Sequence, residues 1–209
     1  MRTNGRSIPE LMSYGRNSED LVTRFSAQVK AVGGYFLSVT NFVEVTEYVG
    51  KLASTMKARR IAVCGVDLSS QLLFPKLPIP CDLISRANME RADFFEALKA
   101  AEIGVTSADL GVAETGTLII ATADELDRLV TALPLVHVAI LPRSRLVFAL
   151  DDAQKQISQL LMNNSAAFSI SLISASSRTA DVGGISILGA HGPKELHVLL
   201  LDQDIPGGR

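Results

Sequence analysis

The sequence predicts an α/β fold, a mainly parallel sheet flanked by helices, and three observations carry that expectation. Segments of helical and of strand character alternate along the chain, and such alternation winds into an open parallel sheet. Hydrophobic residues make up 47% of the 209 positions while aromatics make up 5% and tryptophan is absent, so the core is aliphatic. The strand-like runs RRIAVC, TLIIA, VHVAIL and HVLLL are rich in consecutive apolar residues, as strands covered on both faces are.

Each element follows from local pattern. Leu21, Val22, Phe25, Val29 and Val32 recur at helical spacing, with Ser18 as N-cap and Gly33-Gly34 as a stop. Tyr35 to Val39 reads as a strand. Asn41 then caps a helix whose broad apolar face includes Val45, Tyr48, Val49, Leu52 and Met56, and Arg60 to Cys64 follows as a buried strand. Pro75, Pro78 and Pro80 make Gln71 to Pro80 a loop. Helical spacing returns from Asn88 to Ala101, and Gly104 to Asp109 reads as a turn-rich approach to Glu114. Thr117 to Ala121 is a strand, Asp124 to Leu133 a helix entered through acidic residues, and Val136 to Leu141 a strand. Asp151 caps a helix to about Met162, and Phe168 to Ile173 and His197 to Leu201 complete the strands. Residues 1–17 read as a flexible leader, 18–205 as one α/β domain, and the last few residues as frayed.

Charge and motif content narrow the function. A formal net charge of -2 and a pI near 5.9 do not provide the basic field that nucleic acid requires. No apolar run approaches the roughly 20 residues that span a bilayer, and Met1 to Gly15 lacks a signal-peptide core, so the expectation is cytoplasmic. Cys64 and Cys81 stand apart in apolar surroundings and read as buried thiols, and no C-x-x-C is present to hold zinc or an iron–sulfur cluster with cysteine alone. G-x-G-x-x-G, Walker A, G-x-S-x-G and H-E-x-x-H are also missing. No cofactor and no metal are expected.

Three segments carry the candidate chemistry. Ser174, Ser176, Ser177 and Thr179 place four hydroxyls directly after a strand and before what reads as one helical turn, where free backbone N–H groups would help to hold an anion. Arg178 offers a bidentate clamp on carboxylate or phosphate; the alternative is that the serines cap the turn and Arg178 pairs with Asp181. His191, held by Gly192-Pro193, offers a general acid, base or anion donor. Glu114 precedes Thr115, Gly116 and Thr117 at a strand entry, where a carboxylate can be base, nucleophile, acceptor or an ordinary surface group. Both later segments follow apolar runs and so are expected where strands end, the usual ligand position in α/β folds. His137 and His197 alternate with aliphatic residues inside strands and read as hydrogen-bonded structural histidines.

These segments resemble the lactate-utilisation protein C family, the LUD domain. The resemblance rests on Gly104-Val105-Thr106, Ala113-Glu114-Thr115-Gly116-Thr117, Leu133-Pro134 with His137, Ser177-Arg178-Thr179-Ala180-Asp181, and His191-Gly192-Pro193 with His197, in that order between 104 and 202. It implies the fold shared by ribose-5-phosphate isomerase, glucosamine-6-phosphate deaminase and CoA transferases. It also implies a non-redox accessory subunit of a bacterial L-lactate (hydroxy-acid) oxidation system, binding a small organic anion or iron–sulfur partner proteins. The alternative is an independent CoA-transferase-like or sugar-phosphate-isomerase-like enzyme using Glu114.

Overall fold

The computed structural model describes residues 17–64, 80–86, 89–163, 169–180, 186–189 and 191–205. Residues 1–16 of the expected leader, most of the loop from Gln71 to Pro80, Asp181 and the last four residues lie outside them.

Six strands form a wholly parallel sheet: β1 (Tyr35–Val39), β2 (Arg60–Cys64), β3 (Asp82–Ser85), β4 (Ile103–Ser107), β7 (Val136–Pro142) and β12 (Glu195–Leu201), in the spatial order β1-β12-β7-β4-β2-β3. A second, four-stranded sheet has the order β8-β5-β6-β9, from β5 (Leu110–Val112), β6 (Thr117–Thr122), β8 (Leu146–Val147) and β9 (Ser169–Ile173). A short antiparallel pair, β10 (Arg178–Ala180) and β11 (Ser186–Leu188), sits apart from both.

Helices α1 (Ser18–Ala31) and α2 (Phe42–Met56) cover opposite faces of the parallel sheet. Their burial follows helical spacing: Val22, Phe25 and Val29 on α1, and Val45, Val49 and Ala53 on α2. Side chains of one strand alternate between those layers, so on β12 Leu199 and Leu201 join the α2 core while Leu196, Val198 and Leu200 join the α1 core. Phe25 is wholly buried, and truncating such a side chain to alanine costs about 3–5 kcal/mol. Helices α3 (Arg91–Leu98) and α4 (Glu125–Val130) pack Phe94, Leu98, Leu126 and Val130 near the β2–β3 edge, and α5 (Leu150–Asn163) covers the second sheet through Ala153 and Ile157.

The mainly parallel, helix-flanked sheet is the architecture expected from the sequence. Several local expectations differ. The last helix starts at Leu150, so Asp151 lies in its first turn rather than capping it, and the helix expected from Asp124 to Leu133 runs from Glu125 to Val130. The cap of α1 is Asn17, whose side chain accepts from the Asp20 N–H at 2.8 Å, not Ser18. The helix expected from Asn88 is shorter, with Glu90 as its N-cap, Leu98 as its last residue and Lys99 as its C-cap. Gly104 to Ser107 is not a turn but part of a strand paired on both sides. After Ser177 the chain runs on as β10 rather than as a helical turn. Cys64 and Cys81 are not joined in a disulfide, and both are only partly buried rather than buried as expected.

Candidate functional site

A cleft of about 400 Å³ opens where four segments meet: the end of α4 with Thr131 and Ala132, the start of β7, strand β9 with the loop after it, and the turn 191–193 before β12. Its walls carry the hydroxyl residues Thr131, Ser171, Ser174, Ser176 and Ser177, with apolar surface from Leu172, Ile173 and Leu196. The cleft lies at the amino ends of β7 and β12. That is the opposite edge of a parallel sheet from the expected one, because the serine loop follows a strand of the second sheet and the His191 turn precedes β12.

Two backbone bonds fasten the serine loop to the histidine turn. The Ser177 N–H donates to the Pro193 carbonyl at 2.9 Å and the Gly189 N–H to the Ser177 carbonyl at 2.8 Å. The His191 N–H reaches Ser177 Oγ at 3.3 Å. The Ser177 N–H is therefore committed to Pro193 rather than free for an anion, and the loop carries the hydroxyls of Ser174, Ser176 and Ser177 at the cleft. Ser176 is buried at the wall and His191 is exposed.

The sequence-derived candidates divide into three groups. Ser176, Ser177, His191 and Gly192 converge on the cleft. Thr115 and Thr117 reach it by a hydroxyl chain, with Thr115 Oγ1 2.6 Å from Thr117 Oγ1 and Thr117 Oγ1 2.8 Å from Ser174 Oγ. Glu114 is exposed on the β5–β6 turn and is not among the residues lining the cleft. Gly116, at φ 68°, makes that turn possible, and a Cβ there would stand 2.9 Å from Val29 N of α1. Arg178 and Thr179 run along β10 opposite Leu188 and Ile187.

His137 is the residue that the sequence reading left out of the site. It lies on β7 with Gly104 of β4 and Leu196 of β12 as its register partners, and it forms part of the cleft's floor. The residue is 1% exposed. Its Nε2 is 2.8 Å from Thr106 Oγ1, while Nδ1 is buried with no hydrogen-bond partner. A buried polar atom left unpaired costs roughly 1–3 kcal/mol. Burial, helped by neighbouring His197, lowers its pKa to about 4, so the imidazole is neutral near pH 7.

His197 shows the contrast. Its Nε2 lies 2.9 Å from Glu195 Oε2 and its Nδ1 2.7 Å from the Tyr48 hydroxyl, with Tyr35 stacked at 4.3 Å between ring centroids. A carboxylate only accepts, so in the neutral ring Nε2–H donates to Glu195 and Nδ1 accepts from Tyr48. Burial lowers the His197 pKa against the opposing pull of Glu195. Both its nitrogens are satisfied, the structural role expected of it.

The opposite edge of the parallel sheet offers less. Arg143, just past β7, is held by Asp202 at 2.7 Å and Glu19 at 3.1 Å. Among the described residues no group of three His, Cys, Asp or Glu side chains is arranged to hold a metal ion, and no helix is long and apolar enough to cross a membrane.

Comparison with known proteins adds to this geometry. The family described as the LUD domain matches residues 22–201. The chain is 29% identical over 210 aligned positions to "Lactate utilization protein C" of Shouchella clausii, an alignment covering 97% of this chain and 88% of that protein. It is 32% identical over 113 positions to the protein of the same name from Bacillus subtilis, covering 52% of this chain and 47% of the relative. A crystal structure of a DUF162 family protein from Deinococcus radiodurans superposes with a TM-score of 0.63 at 18% identity, covering 88% of this chain and 98% of that one.

Proposed function

From the premise that this chain belongs to the LUD domain family, we propose that it is a non-redox accessory subunit of bacterial L-lactate or related hydroxy-acid oxidation. Its cleft binds a small organic anion, and iron–sulfur partner proteins carry the electrons. The observation that carries this reading is the convergence of Ser176, Ser177, His191 and Gly192 on one hydroxyl-lined cleft. Hydroxyls and an exposed imidazole suit a small carboxylate with polar substituents. The sequence has two cysteines and no C-x-x-C, so in this reading the redox centres belong to the partners. Residues 18–205 act as one cytoplasmic domain.

Deletion of the gene tests the subunit role. The expected result is loss of growth on L-lactate and of lactate oxidation in cell extracts, both restored by a wild-type copy. Normal growth with unchanged oxidation in extracts would overturn the proposal.

A further inference from the structure

We propose that His137 is the anchor of the cleft: its free Nδ1 hydrogen-bonds a hydroxyl of the bound molecule, so a hydroxy acid enters hydroxyl first and keeps its carboxylate at the His191 mouth. This deepens the binding reading above and rests on it.

The floor and the mouth differ in chemistry. At the floor the polar atom without a partner is His137 Nδ1. Thr106 holds the ring through Nε2, which fixes the direction of Nδ1; that nitrogen is closed to solvent in this structure, so a ligand hydroxyl reaches it as the neighbouring wall residues give way. A neutral imidazole offers one hydrogen bond and no charge. Among the described lining residues there is no lysine, arginine, aspartate or glutamate. A carboxylate pushed to this floor would lose its hydration with no cation among the described lining side chains to replace it, whereas a hydroxyl needs only the single bond that Nδ1 can make. The mouth instead has exposed His191 beside Ser177, where a carboxylate keeps contact with water.

Size separates the possible occupants. A volume of about 400 Å³ equals that of roughly a dozen waters, more than a three-carbon acid fills. A longer polyhydroxy acid can reach from His137 to His191 and use the wall hydroxyls of Ser174 and Ser176 on the way. The ligand class is therefore a small hydroxylated carboxylate, with longer members held better than lactate.

The test is NMR of the imidazole nitrogens and backbone amides of the full chain, titrated with two matched pairs: L-lactate against propionate, and D-gluconate against hexanoate. His137→Gln assigns the His137 signals by their loss. The expected result is that gluconate shifts His137 Nδ1 together with the Ser177 and His191 amides and that lactate, too short to span both ends, shifts Nδ1 only weakly, while propionate and hexanoate leave Nδ1 in place. His137→Gln should raise the gluconate dissociation constant at least tenfold, and the wild-type titration stands without it if that variant fails to fold. Shifts at Ser177 and His191 with no change at Nδ1, or equal Nδ1 shifts from both members of a pair, overturn the anchor and leave anion binding intact. No shift at any cleft signal with all four probes overturns both.

Discussion

His137 and His197 lie on adjacent strands one register position apart, since His137 pairs with Leu196 and His197 with Val138. Alternation sends them to opposite faces of the sheet. Burial of both residues was legible from the aliphatic neighbours. What was not legible is what each ring nitrogen meets, because Thr106 and Tyr48 arrive from elements 31 and 149 residues away in sequence. The difference has a measurable consequence. The pKa of His137 lies near 4 in the native protein against an ordinary value of 6.5, so the unfolded chain binds this proton more tightly. Stability is complete above about pH 6.5 and falls as the pH drops toward 4, by on the order of 3 kcal/mol. His137→Gln should remove that loss. Urea unfolding of wild type and variant at pH 7 and pH 4.5 measures it, and equal losses in the two proteins would show that His137 does not carry the effect.

Strand β4 is the element that local pattern misjudged. Gly104, Thr106 and Ser107 carry turn propensity, yet the segment is an interior strand of the parallel sheet, hydrogen-bonded to β2 and β7. Tertiary packing overrides propensity here. Gly104 is glycine because the end of α4 rests on it: a Cβ would stand 2.2 Å from the Val130 carbonyl oxygen and 3.0 Å from Pro134 Cγ. The nearer obstacle is backbone, which a rotamer change cannot clear. Gly104→Ala should therefore displace α4 and destabilise the protein by about 3 kcal/mol, even though alanine suits a strand no worse than glycine does. Denaturant unfolding checks this, and a change below about 0.5 kcal/mol would mean that α4 yields freely. Displacing α4 also moves Thr131 and Ala132 at the cleft wall. The serine loop was misjudged for a related reason, since Ser and Thr favour both helix caps and turns and only pairing with β11 decides for a strand.

The parallel, helix-flanked sheet was legible because its strands are aliphatic runs, but such runs carry no label for their neighbours. The chain uses that freedom to place its last strand, β12, between its first, β1, and β7. β12 thereby supplies Leu199 and Leu201 to one core layer and Leu196, Val198 and Leu200 to the other. Its start also carries Leu196 into the cleft beside His137, which is why the site draws on segments so far apart in sequence. Without β12, β1 loses its strand partner, β7 keeps only β4, and both apolar layers open to water along the gap. Burying one such leucine contributes about 1.5–3 kcal/mol, so the five apolar side chains together rival the whole stability of an ordinary domain. A chain ending at Lys194 is therefore expected to lose its cooperative urea transition and its near-ultraviolet circular dichroism, not merely to unfold at a lower midpoint. A synthetic peptide of residues 194–205 added in trans should restore part of both signals by refilling the gap. A cooperative transition in the truncated chain near the full-length midpoint would show that the other five strands form a self-sufficient sheet, and that closure by the last strand is not what holds the two layers together.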